Sequence, residues 1–215
     1  VTCTDPDNEK AFWTYLRDTG GPGLAAALDW VGLDAYPGTA FLPLEPTGGY
    51  YSGMVNAMST LHNCLMAYAG LDKPIYIEET GFFTEGPDPS PKGPAVQLEA
   101  LRELTGAARD YAGLYGVTDF RWFSLRDADS ASPNPQQHYG LMGSDYTPKP
   151  AFCAYSEVVT GAACAPPAVP GDSSEPGEGL PGTASASGTW PLVLGALVAV
   201  AAVVRRRRRA RSHLD

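Results

Sequence analysis

The sequence predicts an α/β fold, the C-terminal part of a (β/α)8 TIM barrel, on three observations. Along residues 1–164, segments with helical apolar spacing alternate with short β-branched and aromatic runs. Their order is α, β, α, β, α, β, α, and strands joined by helical crossovers make a parallel sheet with right-handed connections. Each strand also ends in polar or aromatic groups: Asp34 and Tyr36, then Glu78 and Glu79, then Trp122, Arg126, Asp127 and Asp129. Functional groups of a (β/α)8 barrel stand at that end of the strands. Three strands alone leave large apolar faces, so the run is expected to belong to a larger α/β body.

The elements follow in order. NEKAFWTYLRD, residues 8–18, reads as a helix with Asp7 or Asn8 as cap and Gly20–Gly21 as stop. LDWVGLDAYPG, 28–38, is a strand ending at a Pro-Gly turn. Residues 49–70 place Met54, Met58, Leu61, Leu65 and Tyr68 at helical spacing before Gly70. KPIYIEETGFF, 73–83, carries a second strand at 74–79, with Pro74 where a strand begins. Helix 94–113, strand 116–127 and helix 147–159 complete the run.

Strand alternation predicts which side chains point inward. Val31, Leu33 and Ala35 are uniformly apolar and are expected to face the helices, leaving Gly32, Asp34 and Tyr36 toward the barrel axis. In the second strand Ile75 and Ile77 are expected to fill barrel layers. That phase makes Glu79 the inward carboxylate and Glu78 a rim residue.

The chain is 44% hydrophobic and 10% aromatic, ample for a core. It opens on Val1, with neither an initiator Met nor a signal peptide, so a fragment or processed product is expected. Net charge is −9, yet six arginines and Asp215 give the last eleven residues +5 and leave −14 for residues 1–204. An acidic body disfavours nucleic acid, whose phosphates need a basic face. No phosphate loop, metal cluster or dinucleotide fingerprint is present, and neither cofactor nor metal is implied.

Past residue 164 the composition changes. Residues 165–188, beginning APPAVPGDSSEPGEG, are Pro, Gly, Ser and acid, which bury too little surface to offset ordering entropy and read as a disordered linker. A hydrophobic segment at 189–204 carries no charge, somewhat short of the about 20 residues of a comfortable membrane span, and a basic tail at 205–215 would stay cytoplasmic. LPGTA lies just ahead, with Leu180, Pro181, Thr183 and Ala184. This order resembles the cell-wall sorting signal of Gram-positive bacteria, with Ala184 where the common motif has Gly. The resemblance implies cleavage after Thr183 by a sortase, attachment to peptidoglycan and an extracellular protein. A plain membrane anchor through 189–204 is the alternative. In an extracellular setting the four cysteines suggest disulfides. They are too scattered for a CxxC metal site, and of three connectivities Cys153–Cys164 with Cys3–Cys64 is preferred because the first closes a short loop.

The strand ends resemble the retaining glycoside hydrolases of clan A, the cellulase- and mannanase-like (β/α)8 enzymes, over roughly residues 8–160. Glu79-Thr80-Gly81 in KPIYIEETG matches the Glu-x-Gly that closes that clan's seventh strand, where the Glu is nucleophile. Tyr36 in VGLDAYPG matches the aromatic residue that orients it, and Asp34, where many members carry His, is with Arg126 a substrate-binding candidate. Trp122 in DFRWFSLRDAD matches the eighth-strand Trp that floors the sugar. The resemblance implies hydrolysis of a polysaccharide or glycoside, with Glu79 forming a glycosyl-enzyme and Tyr36 and Arg126 as donors that would keep it ionised. The clan's acid/base Glu ends the fourth strand, and nothing before residue 28 supplies it, so the chain alone is expected to be inactive.

Other residues carry double readings. Asp127 and Asp129 fit substrate binding or an Arg-Asp loop staple, and His138 fits substrate contact or turn structure. Tyr50, Tyr51, Phe82 and Phe83 fit outer subsites or loop packing. His62 reads as a surface or packing residue, and Glu45 and Glu85 as solvated charges. A wall-anchored carbohydrate-binding or adhesive protein on a degenerate barrel is the alternative function, and a barrel enzyme using Glu79 as general base on another substrate is a third.

Overall fold

The computed structural model describes residues 3, 9–39, 48–86 and 92–164. The linker, LPGTA, the hydrophobic segment and the basic tail lie outside the described residues, as do Asp7, Asn8 and Glu45.

The elements run α1 (Glu9–Ala27), β1 (Val31–Asp34), α2 (Gly49–Thr60), a π-helical turn Leu61–Leu65, α3 (Met66–Ala69), β2 (Ile75–Thr80), α4 (Pro94–Tyr115), β3 (Val117–Trp122), and α5 (Pro150–Thr160). The three strands form one parallel sheet in the order β1-β2-β3. The fold is mixed α/β with a small parallel sheet, as the order of segments implies.

Boundaries follow local chemistry. α1 runs past the expected stop at Gly20–Gly21: Gly21 sits at φ 56°, ψ −161°, and breaks the helix, and Pro22 lies where a second helical stretch begins. A proline's fixed φ suits a first helical turn, so the dipeptide kinks the element and does not end it. α4 has Pro94 in its first turn and ends at the left-handed Gly116. β3 stops at Trp122, short of the expected 127. Residues 124–127 leave the sheet and pair with a later segment, Ser124 N donating to Tyr139 O (3.2 Å) and Asp127 N to Met142 O (2.9 Å).

One face of the sheet is covered by helices. Met54 and Met58 from α2, Ile75 and Ile77 from β2, and Leu101 and Leu104 from α4 are all 0% exposed in one cluster that also holds Val31 and Leu33. Burying one such side chain contributes about 1.5–3 kcal/mol, so this helix-side core fixes the strand positions. Disulfides join Cys3 to Cys64, in the π-helical turn, and Cys153 on α5 to Cys164. The second closes the turn that follows α5.

Candidate active site

The pairing of β1 with β2 decides where the adjacent glutamates go. Val31 pairs with Ile75, Gly32 with Tyr76 and Leu33 with Ile77, but Asp34 then pairs with Glu79. Glu78 is an extra residue, a bulge at the strand end. Because Ile75 and Ile77 stand beside Val31 and Leu33, they share the helix-side face, and the inward phase expected for them is wrong. Simple alternation from Ile77 would have carried Glu79 to the helix side as well. The bulge reverses this and brings Glu79 to the open face beside Asp34 and Tyr36.

There the Tyr36 hydroxyl donates to Glu79 Oε2 at 2.9 Å. Burial, and then this bond, push the Tyr36 phenol well above its ordinary pKa, so it keeps the proton it donates. Glu79 itself is exposed, and its other oxygen takes no hydrogen bond among the described residues. Glu78 is half-buried and accepts from Trp30 Nε1 at 3.1 Å, while Trp30 stacks on Tyr76 at 4.7 Å. Asp34, half-buried on the Glu79 side, has its carboxyl pushed up to about 6 by burial, with the charges of Glu79 and Glu78 adding to the shift.

The exposed aromatic ring beside this strand end is Phe123, which sequence reasoning passed over. Trp122 pairs with the buried Thr80 after two register shifts between β2 and β3, so it turns into the core, 8% exposed, with Nε1 donating to Tyr139 O at 3.4 Å. The expected sugar floor at Trp122 is therefore corrected. Phe123, one residue on, is 42% exposed, with its ring edge-on to Tyr36 at 6.5 Å and to Tyr139 at 5.6 Å. Its backbone N donates to Thr80 O at 2.7 Å. That crossing passes so close to Gly81 that any Cβ there would collide with the Phe123 carbonyl oxygen, which explains the glycine two residues after Glu79.

The expectation for Arg126 is corrected, and the double readings of Asp127 and His138 resolve to their structural halves. Arg126 does not reach Glu79: it donates to Ser144 O at 2.8 Å and lies over the Tyr146 ring at 5.0 Å. Asp127 is 2% exposed and pairs with Lys149 Nζ at 2.8 Å, while accepting from Gly140 N and Ser130 Oγ. It is a loop staple, with Lys in place of Arg. His138, also 2% exposed, places Nε2 2.6 Å from Ser132 O inside the same loop and faces no cleft. Asp129 accepts from Ala131 N in a turn. Phe82 and Phe83 are buried in the loop after β2, Tyr50 on α2 packs edge-on to Phe82, and the Tyr51 hydroxyl donates across to Asp110 on α4, so these aromatics pack within the fold.

Gln97 was also missed. It is fully buried on α4, and its Nε2 donates to Phe82 O (2.9 Å) and Gly140 O (3.0 Å), locking the loop after β2 to the loop after β3. The signal was there: a lone amide at i−3 and i−4 from Ala100 and Leu101 on the apolar stripe of a helix. Buried amides of that kind need partners, and here loop carbonyls satisfy the NH2 group while Oε1 has no partner among the described residues.

No protein-family model matches the chain. A probable glucan endo-1,3-beta-glucosidase of Aspergillus terreus is 30% identical over 169 residues, covering 72% of this chain and 30% of the relative. Its counterpart in Aspergillus niger is 26% identical over 151 residues, 65% of this chain and 28% of the relative. Among solved structures, a family 39 glycoside hydrolase from Bacteroides cellulosilyticus superposes with a TM-score of 0.49 at 18% identity, over 70% of this chain and 30% of that one. The chain thus has a sequence relationship to glycoside hydrolases and spans about 30% of the length of the curated relatives it matches.

Proposed function

We propose that the chain supplies the nucleophile side of a retaining glycoside hydrolase acting on β-1,3-glucan, with Glu79 as nucleophile and Tyr36 orienting it. The observation that carries this reading is the 2.9 Å hydrogen bond from Tyr36 to Glu79, at a strand end beside the exposed ring of Phe123. One carboxylate oxygen is held and the other is left open for attack. That oxygen bonds to the anomeric carbon as the glycosidic C–O bond breaks and the leaving oxygen takes a proton from a second carboxyl. Water, deprotonated by that second group, then releases the sugar. The two carboxyls of such a pair stand about 5–5.5 Å apart, and in this proposal the whole protein supplies the second one. Phe123 offers a flat apolar face to the C–H side of the sugar ring. The glucan assignment comes from the names of the Aspergillus relatives.

The test is hydrolysis of a soluble β-1,3-glucan by the whole protein, with the first-formed product anomer followed by NMR. The β-anomer is expected first and the isolated chain is expected to be inactive. An α-anomer as first product would sink the retaining mechanism, and no release of sugar from the whole protein would sink the substrate.

We further propose retention at an extracellular surface, on the residue order alone: spacer, LPGTA, apolar run, arginine block. Sortase and cell-wall peptidoglycan are the partners this implies, and the Aspergillus relatives lend no support to that half. Mass spectrometry of wall-digested material should find a C-terminal peptide ending at Thr183 and carrying a wall fragment. Recovery only in detergent extracts with the arginines intact would mean a membrane anchor instead.

A further inference from the structure

Asp34 is the direct neighbour of Glu79 across the β1–β2 ladder, because the bulge at Glu78 removes the residue that would otherwise intervene. Among the described residues it has no hydrogen-bond or ion-pair partner. The groups facing it are acidic or neutral. Glu78 and Glu79 approach from β2 and Tyr36 from its own strand end, with Tyr139 beyond Tyr36 at 5.7 Å. On β3, one strand further, Arg121 is tied to Asp119 at 3.1 Å. Lys149 and Arg126 are engaged in the loop after β3.

We propose that Asp34 is a specificity-determining residue of the cleft: it donates a hydrogen bond to a bound sugar when protonated and turns anionic sugars away when ionised. The proposal rests on the glycosidase reading of the same cleft. Burial and the two glutamates hold the Asp34 proton up to about pH 6, so mildly acidic solution presents a donor and neutral solution a third negative charge. A neutral sugar is served by either form, since its hydroxyls both donate and accept. A uronic sugar, charged throughout this range, meets added repulsion only when Asp34 ionises. For unit charges across a cleft at an effective dielectric of about 20, with salt screening, the effect is on the order of tenfold in affinity.

The test uses the whole protein, a neutral β-1,3-linked glucose trisaccharide, and a trisaccharide of the same length ending in glucuronic acid. Binding is measured by NMR titration at about pH 5 and about pH 7.5. The wild type should bind the neutral probe at both, and should lose about tenfold in affinity for the uronic probe at the higher pH. Asp34→Asn, or Asp34→Ser should the amide variant not fold, should abolish that loss. An equal loss in the variants overturns the proposal.

A sugar-free readout separates the failures. The folded Asp34 pKa lies above its unfolded value, so the native state binds more protons between about pH 4 and 6, and stability contributed by Asp34 falls as pH rises through that window. The melting temperature of Asp34→Asn should therefore overtake that of the wild type across it. If this crossing appears but the neutral probe does not bind, the glycosidase reading fails and takes the specificity role with it. If the neutral probe binds and the uronic discrimination is pH-independent, only the role of Asp34 fails.

Discussion

Replacing Glu79 by Gln in the whole protein is expected to lower turnover of an activated β-glucoside by at least about 10³-fold, a loss of transition-state stabilisation near 4 kcal/mol. The substitution is close to isosteric, and the amide oxygen still accepts from the Tyr36 hydroxyl, so the fold and the orienting bond are retained. What disappears is the anionic oxygen that bonds to the anomeric carbon. Glu78→Gln serves as the internal control. Its side chain answers to the Trp30 indole N–H, and a Gln oxygen accepts that bond equally well. Activity of Glu78→Gln should stay within a few-fold of wild type. The reverse pattern would mean that the bulge lies on the other side of Glu78 and that the cleft is built around the wrong carboxylate.

The second large effect concerns stability. Lys149→Met should destabilise the fold by about 3 kcal/mol, a fall in melting temperature on the order of 10 °C for a domain of this size. Asp127 is 2% exposed, and Lys149 is the cation held 2.8 Å from it. Taking one partner from a buried ion pair leaves the other desolvated and uncompensated. That cost exceeds the pair's own worth, which is why removing both partners is milder than removing one. Asp127→Asn combined with Lys149→Met should accordingly recover part of the loss. A change below about 0.5 kcal/mol in the single variant would place the pair in water and return Asp127 to the substrate-binding candidates.

The parts of the fold that are local were legible in the sequence. Helical spacing across Met54, Met58, Leu61 and Leu65, the terminating Gly70, and the β-branched run before Glu78 all carry their conformation in a few neighbouring residues. The proximity of Tyr36 to Glu79 was legible too, although for the wrong reason. Alternation assigns faces only while pairing is regular, and a bulge adds one residue without any mark in the apolar pattern. Counting inward from Ile75 and Ile77 reached Glu79 because the strand was taken to be regular and the isoleucines were placed on the wrong face. The two errors cancelled.

No such cancellation occurred in β3. Two register shifts against β2 turned Trp122 inward and left Phe123 at the cleft, and neither shift is written in VTDFRWF. The fates of Arg126, Asp127 and His138 depend on residues 139–149 folding back along the segment after β3. A contact of that kind is set by tertiary packing and not by local propensity. Lys149, 22 residues from Asp127 in the chain, could not be matched to it by spacing.

The role of Glu79 is tested most directly by trapping the covalent intermediate. A 2-fluoro glycoside with a good leaving group slows both steps but the second more, so the glycosyl-enzyme accumulates on the nucleophile. Peptide mapping of the whole protein after such treatment should find the sugar ester-linked to Glu79, and pretreatment of Glu79→Gln should yield no label. A label on Glu78, or on a residue outside KPIYIEETGFF, would contradict the account.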